Sequence, residues 1–317
     1  MPELRPLGRT ALSTPRLVLG GNVFGWTADR AESFRLLDRF ADAGGTLVDT
    51  ADVYSAWAPG HKGGESESLI GEWLKRRGSS QRLAVATKVG MLPGEGGEKL
   101  APARIAAAAD ASLKRLGVEA IDLYYAHQDD PDTPMDAALQ AFDALVRAGK
   151  VKALGASNFT AERLEQALNL AGSLGTARYE VLQPEYHLLA REAFEDALQP
   201  LCLREGLSVL PYYGLASGFL TGKYRSEKDF GKSVRGPRMA KYLAGGGPAV
   251  LAALDEIAGE TGATQAQIAL AWLAAQPAVA APIASATSVA QLDELIGAMT
   301  LDLSADQLAR LDDASRG

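Results

Sequence analysis

Ile121–Ser157 reads IDLYYAHQDDPDTPMDAALQAFDALVRAGKVKALGAS, and the order of its patterns decides the fold. Ile121–His127 is a near-continuous apolar run, the signature of a strand covered on both faces. Pro134–Ala148 follows as a helix closed by Gly149, and Val151–Ser157 is a second strand. Two covered strands joined through a helix make a parallel crossover.

The same unit recurs outward in both directions. Strands are predicted at Arg16–Gly20, Thr46–Thr50, Leu83–Val89, Tyr179–Gln183, Leu207–Tyr213 and Val279–Ala284. Helices are predicted at Arg30–Ala43, Ser66–Arg77, Pro102–Leu116, Thr160 (as N-cap) to Ala171, Arg191–Arg204, Pro248–Thr261, Thr264–Ala275 and Val289–Ala298, with Ser304–Ser315 appended. Eight such units in one domain, residues 1–317, predict a (β/α)8 TIM barrel. A doubly wound sheet shares the pattern, but no G-x-G-x-x-G follows the first strand. Met1–Thr14 is read as an N-terminal extension that covers the base of the barrel. Ser55–Gly64 and a long insertion after strand 7, Thr221–Gly247, fall on the face where barrel sites lie.

Composition narrows the function. Of 317 residues, 47% are hydrophobic and 22% charged, which fits a globular chain. Lys and Arg total 32 against 39 Asp and Glu, a net charge of −7, and no basic run suits a nucleic-acid backbone. A lone cysteine, Cys202, forms no internal disulfide. Neither a secretory h-region nor an apolar run of about 18 residues is present, so a cytoplasmic protein free of membrane is expected. The three histidines have no metal-ligand spacing, so no metal is expected.

Polar residues punctuate the apolar runs at the strand ends: Asp49, with Tyr54 a short loop later, then Lys88, His127, Ser157 with Asn158, Gln183, and Tyr212. Alone, Asp49 and Lys88 suit a structural ion pair, and His127 a satisfied core histidine. Together on adjacent strands they form one cluster. An ammonium at about 4 Å from a phenol, in an effective dielectric of about 20, contributes roughly 4 kcal/mol, so Lys88 is expected to lower the proton affinity of Tyr54 before burial opposes it. Tyr54 then becomes a proton donor to a carbonyl oxygen, with Asp49 holding Lys88 and His127 orienting the carbonyl. Such a step needs a hydride source. Asn158 and Gln183 offer amides for a carboxamide, and Tyr212 a ring to stack on a flat heterocycle.

At these residues the chain resembles the aldo-keto reductase family along nearly its whole length. The segments that carry the resemblance are VDTADVY (Val48–Tyr54), ATKVG (Ala86–Gly90), LYYAHQDDPDTP (Leu123–Pro134), GASNF (Gly155–Phe159), LQPEYHLL (Leu182–Leu189), LASGFLTGKY (Leu215–Tyr224) and APIASATSVAQLDEL (Ala281–Leu295). The resemblance implies a barrel that binds extended NADPH and reduces aldehydes or ketones. It implies a catalytic tetrad of Asp49, Tyr54, Lys88 and His127. Ser157, Asn158 and Gln183 would hold the carboxamide, with Gly21 and Asn22 nearby and Tyr212 stacked on the nicotinamide. Leu215 and Ser217 would line the pyrophosphate, and Lys223 and Arg235 would meet phosphate charge. Ser285, Thr287 and Gln291 would surround the adenosine ribose and its 2′-phosphate. A substrate pocket of Phe24, Trp26, Trp57 and Tyr213 is expected, for a small-molecule carbonyl compound.

The chain departs from the family at three places, one of them His187, which stands where Asn is common and is read as structural. Tyr213-Gly214 stands where many members have Ser-Pro, and no Arg or Lys accompanies Thr287-Ser288. NADP(H) is the expected cofactor, with charge from Lys223, Arg235 and Arg238, and NAD(H) or dual use is the alternative. The competing functions are an NADPH-binding sensor or regulatory subunit with little turnover, and a metal-dependent barrel hydrolase or isomerase. Oligomeric state is not legible.

Overall fold

The computed structural model describes residues 2–78, 82–233 and 236–316. A two-stranded hairpin, β1 (Arg5–Pro6) and β2 (Ser13–Thr14), precedes eight strands: β3 (Val18–Gly20), β4 (Leu47–Asp49), β5 (Ala84–Val89), β6 (Leu123–Ala126), β7 (Leu154–Ser157), β8 (Tyr179–Gln183), β9 (Ser208–Val209) and β10 (Ile283–Ala284). These eight are parallel, in the order β10-β3-β4-β5-β6-β7-β8-β9. The segment leading into β10 also meets β9. Val209 N donates to Ala278 O and Ala280 N to Val209 O, both at 2.9 Å, so the sheet closes on itself. The architecture is an α/β TIM-like barrel.

Helices cover the outside: α1 (Arg30–Asp42), α2 (Glu65–Arg77), α3 (Pro102–Leu116), α4 (Met135–Arg147), α5 (Ala161–Leu174), α6 (Glu192–Glu195), α7 (Leu198–Glu205), α8 (Ala240–Ala244), α9 (Gly247–Thr261), α10 (Gln265–Ala275), α11 (Val289–Ile296) and α12 (Ala305–Ala314). Local chemistry sets their ends. Asp29, Thr160, Thr264, Ser288 and Ser304 each accept a first-turn amide. Neighbouring helices contact one another around the ring, α2 on α3 and α3 on α4.

Two predicted helices end elsewhere than expected. The one predicted to stop at Ala171 runs to Leu174, because Gly172 is tolerated inside it and the left-handed cap is Gly175, φ 65°. Arg191–Arg204 is split into α6 and α7. Pro200 sits in the first turn of α7, and its ring excludes a helical carbonyl at Asp196, where the break falls. The predicted strands Leu207–Tyr213 and Val279–Ala284 contract to two residues each. Pro211 and Pro282 have no N–H for the ladder.

The barrel interior is a separate apolar layer that includes Val18, Leu47, Leu123, Tyr125 and Val181, with Leu7 of the N-terminal hairpin packed into it. A Cβ at Gly155 would meet the Tyr125 ring at 2.4 Å, so the glycine makes room for that ring. At the base, Arg5 Nη1 donates to the carbonyls of Ala274, Val279 and Ala280 at 2.6, 3.3 and 3.4 Å. Between β9 and α9 the chain runs through short 3-10 turns at Ala216–Thr221, Glu227–Lys232 and Gly236–Met239 before α8. Arg235 lies outside the described residues. No helix among the described residues is long and apolar enough to cross a membrane.

Candidate active site

Strand register brings the site together. Gly20 pairs with Asp49, Lys88 with Tyr125, and Ser157 with Gln183, so the polar residues stand near one level at the C-terminal ends of the strands. Lys88 is wholly buried. Its Nζ donates to Asp49 Oδ2 at 2.7 Å, to Thr50 O at 2.7 Å and to Tyr54 OH at 2.8 Å. Three acceptors thus take the three ammonium hydrogens, the condition under which a buried ion pair is tolerated. The turn after β4 delivers Tyr54: Asp52 N donates to Lys88 O at 3.3 Å, and Tyr54 N to Ala51 O at 3.2 Å. Tyr54 OH also lies 3.2 Å from Asp49 Oδ2. The His127 ring is 6.2 Å from that of Tyr54, edge to face, and its Nδ1 is buried without a hydrogen-bond partner among the described residues.

The electrostatics correct one expectation. Tyr54 is pushed well above the ordinary phenol value, first by burial and then by Asp49. Lys88 touches the phenol as expected, but the Asp49 carboxylate faces it too and opposes a phenolate. Burial pulls Lys88 below the usual ammonium value, with Asp49 resisting. Burial, then the Lys88 charge, holds His127 well below the usual imidazole value. At neutral pH the site therefore presents a protonated phenol and a neutral imidazole.

The amides of Asn158 and Gln183 are both engaged in bonds within the protein. Asn158 donates through Nδ2 to His127 O at 2.8 Å and Ser157 Oγ at 3.1 Å, and accepts from Tyr212 OH at 2.8 Å. Ser157 Oγ donates to Gln183 O at 2.7 Å, and Gln183 Nε2 donates to Asp49 Oδ1 at 2.9 Å. Asn158 holds a left-handed backbone, φ 56°, which suits asparagine. On the other side, Gly21 N donates to Asp49 O at 2.7 Å, and Ser285 Oγ to Asn22 Oδ1 at 2.6 Å.

Whether a dinucleotide fits can be tested on the turn after β9. Ala216, Ser217 and Gly218 all have positive φ (49°, 58° and 99°), and the turn is held by Ala216 N donating to Tyr213 O at 2.6 Å and Gly218 N to Leu215 O at 2.8 Å. A Cβ at Gly218 would meet nothing nearer than the Lys223 ammonium, at 3.7 Å. The space over Gly218 beside the Lys223 cation fits a phosphate group, and Leu215 stands at the start of this turn. At the head of α11, Gln291 Oε1 accepts from Thr287 N at 2.9 Å and Thr287 Oγ1 at 3.0 Å. The same helix start receives Glu32, whose Oε1 accepts from Val289 N at 3.0 Å.

Trp26 and Trp57 meet edge to face at 5.7 Å, Trp57 meets Tyr54 at 6.0 Å, and Tyr213 meets Tyr212 at 5.0 Å. Trp57 and Tyr213 are 48% and 44% exposed, so both offer apolar area at the mouth. Phe24 does not join them. It is wholly buried, because the turn from Gly21 to Ala28 folds its ring into the core, with Ser55 Oγ bonded to its carbonyl. Sequence reasoning missed Asp52, buried beside the cluster. The second carboxylate in VDTADVY was the available signal for Asp52.

Known proteins resemble this chain over most of its length. The sequence profile described as the aldo/keto reductase family matches residues 16–316. The uncharacterized oxidoreductase YrpG of Bacillus subtilis is 35% identical over 324 residues, covering 99% of this chain and 96% of that protein. The aldo-keto reductase yakc of Schizosaccharomyces pombe, whose name specifies NADP(+), is 32% identical over 280 residues, 85% of this chain and 78% of its own. A probable voltage-gated potassium channel subunit beta of Arabidopsis thaliana is 30% identical over 300 residues, 92% of this chain and 89% of its own.

Proposed function

The chain belongs to the aldo/keto reductase family, and from that premise we propose that it is a single-domain NADPH-dependent carbonyl reductase with Tyr54 as proton donor. The observation that carries the reading is the contact of Lys88 Nζ with both Asp49 Oδ2 and Tyr54 OH.

When bound, the reduced nicotinamide supplies hydride to the carbonyl carbon. Tyr54 gives its phenolic proton to the carbonyl oxygen as negative charge gathers there. A raised proton affinity keeps Tyr54 loaded at neutral pH, and the nascent alkoxide is basic enough to take the proton. The Lys88 ammonium then faces the phenolate, and Asp49 keeps that ammonium in place. Neutral His127 offers its ring N–H to the same oxygen and orients it. Ser157, Asn158 and Gln183 would border the carboxamide, with Gly21 and Asn22 alongside and Tyr212 stacked on the ring. Leu215, Ser217 and Lys223 would hold the pyrophosphate, and Ser285, Thr287 and Gln291 the adenosine end. Trp26, Trp57 and Tyr213 suit a flat or apolar small carbonyl compound.

The channel-subunit relative favours a second reading, an NADPH-binding sensor with little turnover. Titration with NADPH followed by tryptophan fluorescence, then turnover with aromatic and aliphatic aldehydes, separates the two. NADPH consumption that tracks alcohol formation supports the reductase. Tight NADPH binding without turnover of any aldehyde supports the sensor.

A further inference from the structure

Behind the tetrad lies a second charged cluster that the proposed chemistry does not use. Asp52 is 1% exposed and two residues from Tyr54. Its amide donates to Lys88 O at 3.3 Å, which pins the Tyr54 turn to β5. Its Oδ2 accepts from Arg104 Nη2 of α3 at 3.1 Å, and Arg104 Nε also ties to Leu92 O at 3.1 Å. The other oxygen, Oδ1, is buried with no hydrogen-bond partner among the described residues, as is the hydroxyl of Tyr124 on β6. From α2, wholly buried Glu67 faces the same cluster, bonded to Thr87 Oγ1 of β5 and Arg115 Nε of α3 at 2.6 Å each. Lys88 itself feels the charges of Asp52 and Glu67.

We propose that Asp52 is a positioning residue for this reaction: its carboxyl, gripped by Arg104 on one oxygen and left open on the other, sets by its charge how firmly the Tyr54 turn is held and how strongly Lys88 stays cationic. This rests on the reading of Tyr54 as proton donor.

The charge count explains why the group is poised. Arg104, Arg115 and Lys88 balance Asp52, Glu67 and Asp49 when all are ionised. Burial and the nearby Glu67 disfavour the Asp52 carboxylate and push it up to about 7, while Arg104 and Arg115 oppose them. Protonation leaves one net positive charge behind the tetrad, removes the anion from the Arg104 bond, and withdraws one of the charges that support the Lys88 ammonium.

The test is the pH dependence of kcat/KM for NADPH-dependent aldehyde reduction, from about pH 5.5 to about pH 8.5. Wild type should fall about threefold below an inflection near pH 7, the effect of a charge that contributes about half a pKa unit. Asp52→Asn should lose the inflection and show at about pH 8 the value that wild type shows at about pH 6. The change should appear in kcat, with NADPH affinity unmoved. Arg104→Gln, which keeps the carboxyl but removes its cation, should shift the inflection upward. Carbon NMR of aspartate-labelled wild type reads the same titration without turnover.

A wild type that turns over without an inflection near neutrality, or an inflection that persists in Asp52→Asn or stays fixed in Arg104→Gln, overturns the role of Asp52 alone. A uniform loss in Asp52→Asn at every pH does the same, since that is what a purely structural residue gives. A wild type with no NADPH-dependent turnover overturns the reductase reading and this role with it.

Discussion

The side-chain amide of Gln183 donates to Asp49 Oδ1 at 2.9 Å, across 134 residues of chain. With Lys88 on Oδ2, this carboxylate is tied to two other strands of the barrel at once. Gln183→Leu would strand a buried oxygen, so a loss of about 1–3 kcal/mol is expected in urea denaturation. Turnover should fall as well, because Asp49 would be free to turn away from Lys88.

Tyr54→Phe removes the proton donor and with it one of the three acceptors of the Lys88 ammonium. A fall in kcat of about 100-fold or more is expected for aldehyde reduction. NADPH affinity, read by tryptophan quenching, should stay within about twofold of wild type. Turnover comparable to wild type in this variant would sink the assigned role.

Lys88→Met should behave differently from Tyr54→Phe. It leaves Asp49 as a buried carboxylate without its cation, which costs about 3–5 kcal/mol. Loss of activity with a lowered urea midpoint is the expected pair of results. Activity lost with stability unchanged would mean that Asp49 finds another partner.

His127 gives a stability signature. Its folded-state proton affinity is depressed by burial, then by Lys88. The unfolded chain takes up a proton below about pH 6.5 and the folded state does not. Stability from this group is therefore full above that value and lost as pH falls, by up to about 1.4 kcal/mol per pH unit. Comparing the pH dependence of urea midpoints between wild type and His127→Asn isolates the contribution.

Glu32 bears on the choice of cofactor. Its carboxylate accepts from Val289 N at the head of α11, where the family resemblance puts the 2′-phosphate, and is paired on its other oxygen with Arg35, which it keeps from an incoming phosphate. Glu32→Gln should therefore tighten NADPH relative to NADH, by about threefold for a partly screened charge. Paired fluorescence titrations measure the ratio, and an unchanged ratio would place the phosphate elsewhere.

Much of the barrel was legible because its strands are apolar runs and its helices end at glycines or begin at Ser, Thr and Asp caps. What escaped was tertiary in origin. The break between α6 and α7 follows from one proline ring, and the shortness of β9 and β10 from two missing amide hydrogens. The polar cluster was legible for a similar reason, since Asp49 and Lys88 interrupt apolar runs. The raised proton affinity of Tyr54 was not, because spacing reveals neither the desolvation of the phenol nor the Asp49 carboxylate 3.2 Å from it. Nor did spacing show that Asn158 and Gln183 bond within the protein, or that Phe24 turns inward.

The plug that Arg5 and Leu7 make at the base has a consequence for traffic. A barrel stoppered at one end and open at the other has a single doorway. On the proposed reading, cofactor and carbonyl compound share it, and the deeper guest must arrive first and depart last. The side chains that fill the barrel beneath them, with the hairpin packed under, close the other way in.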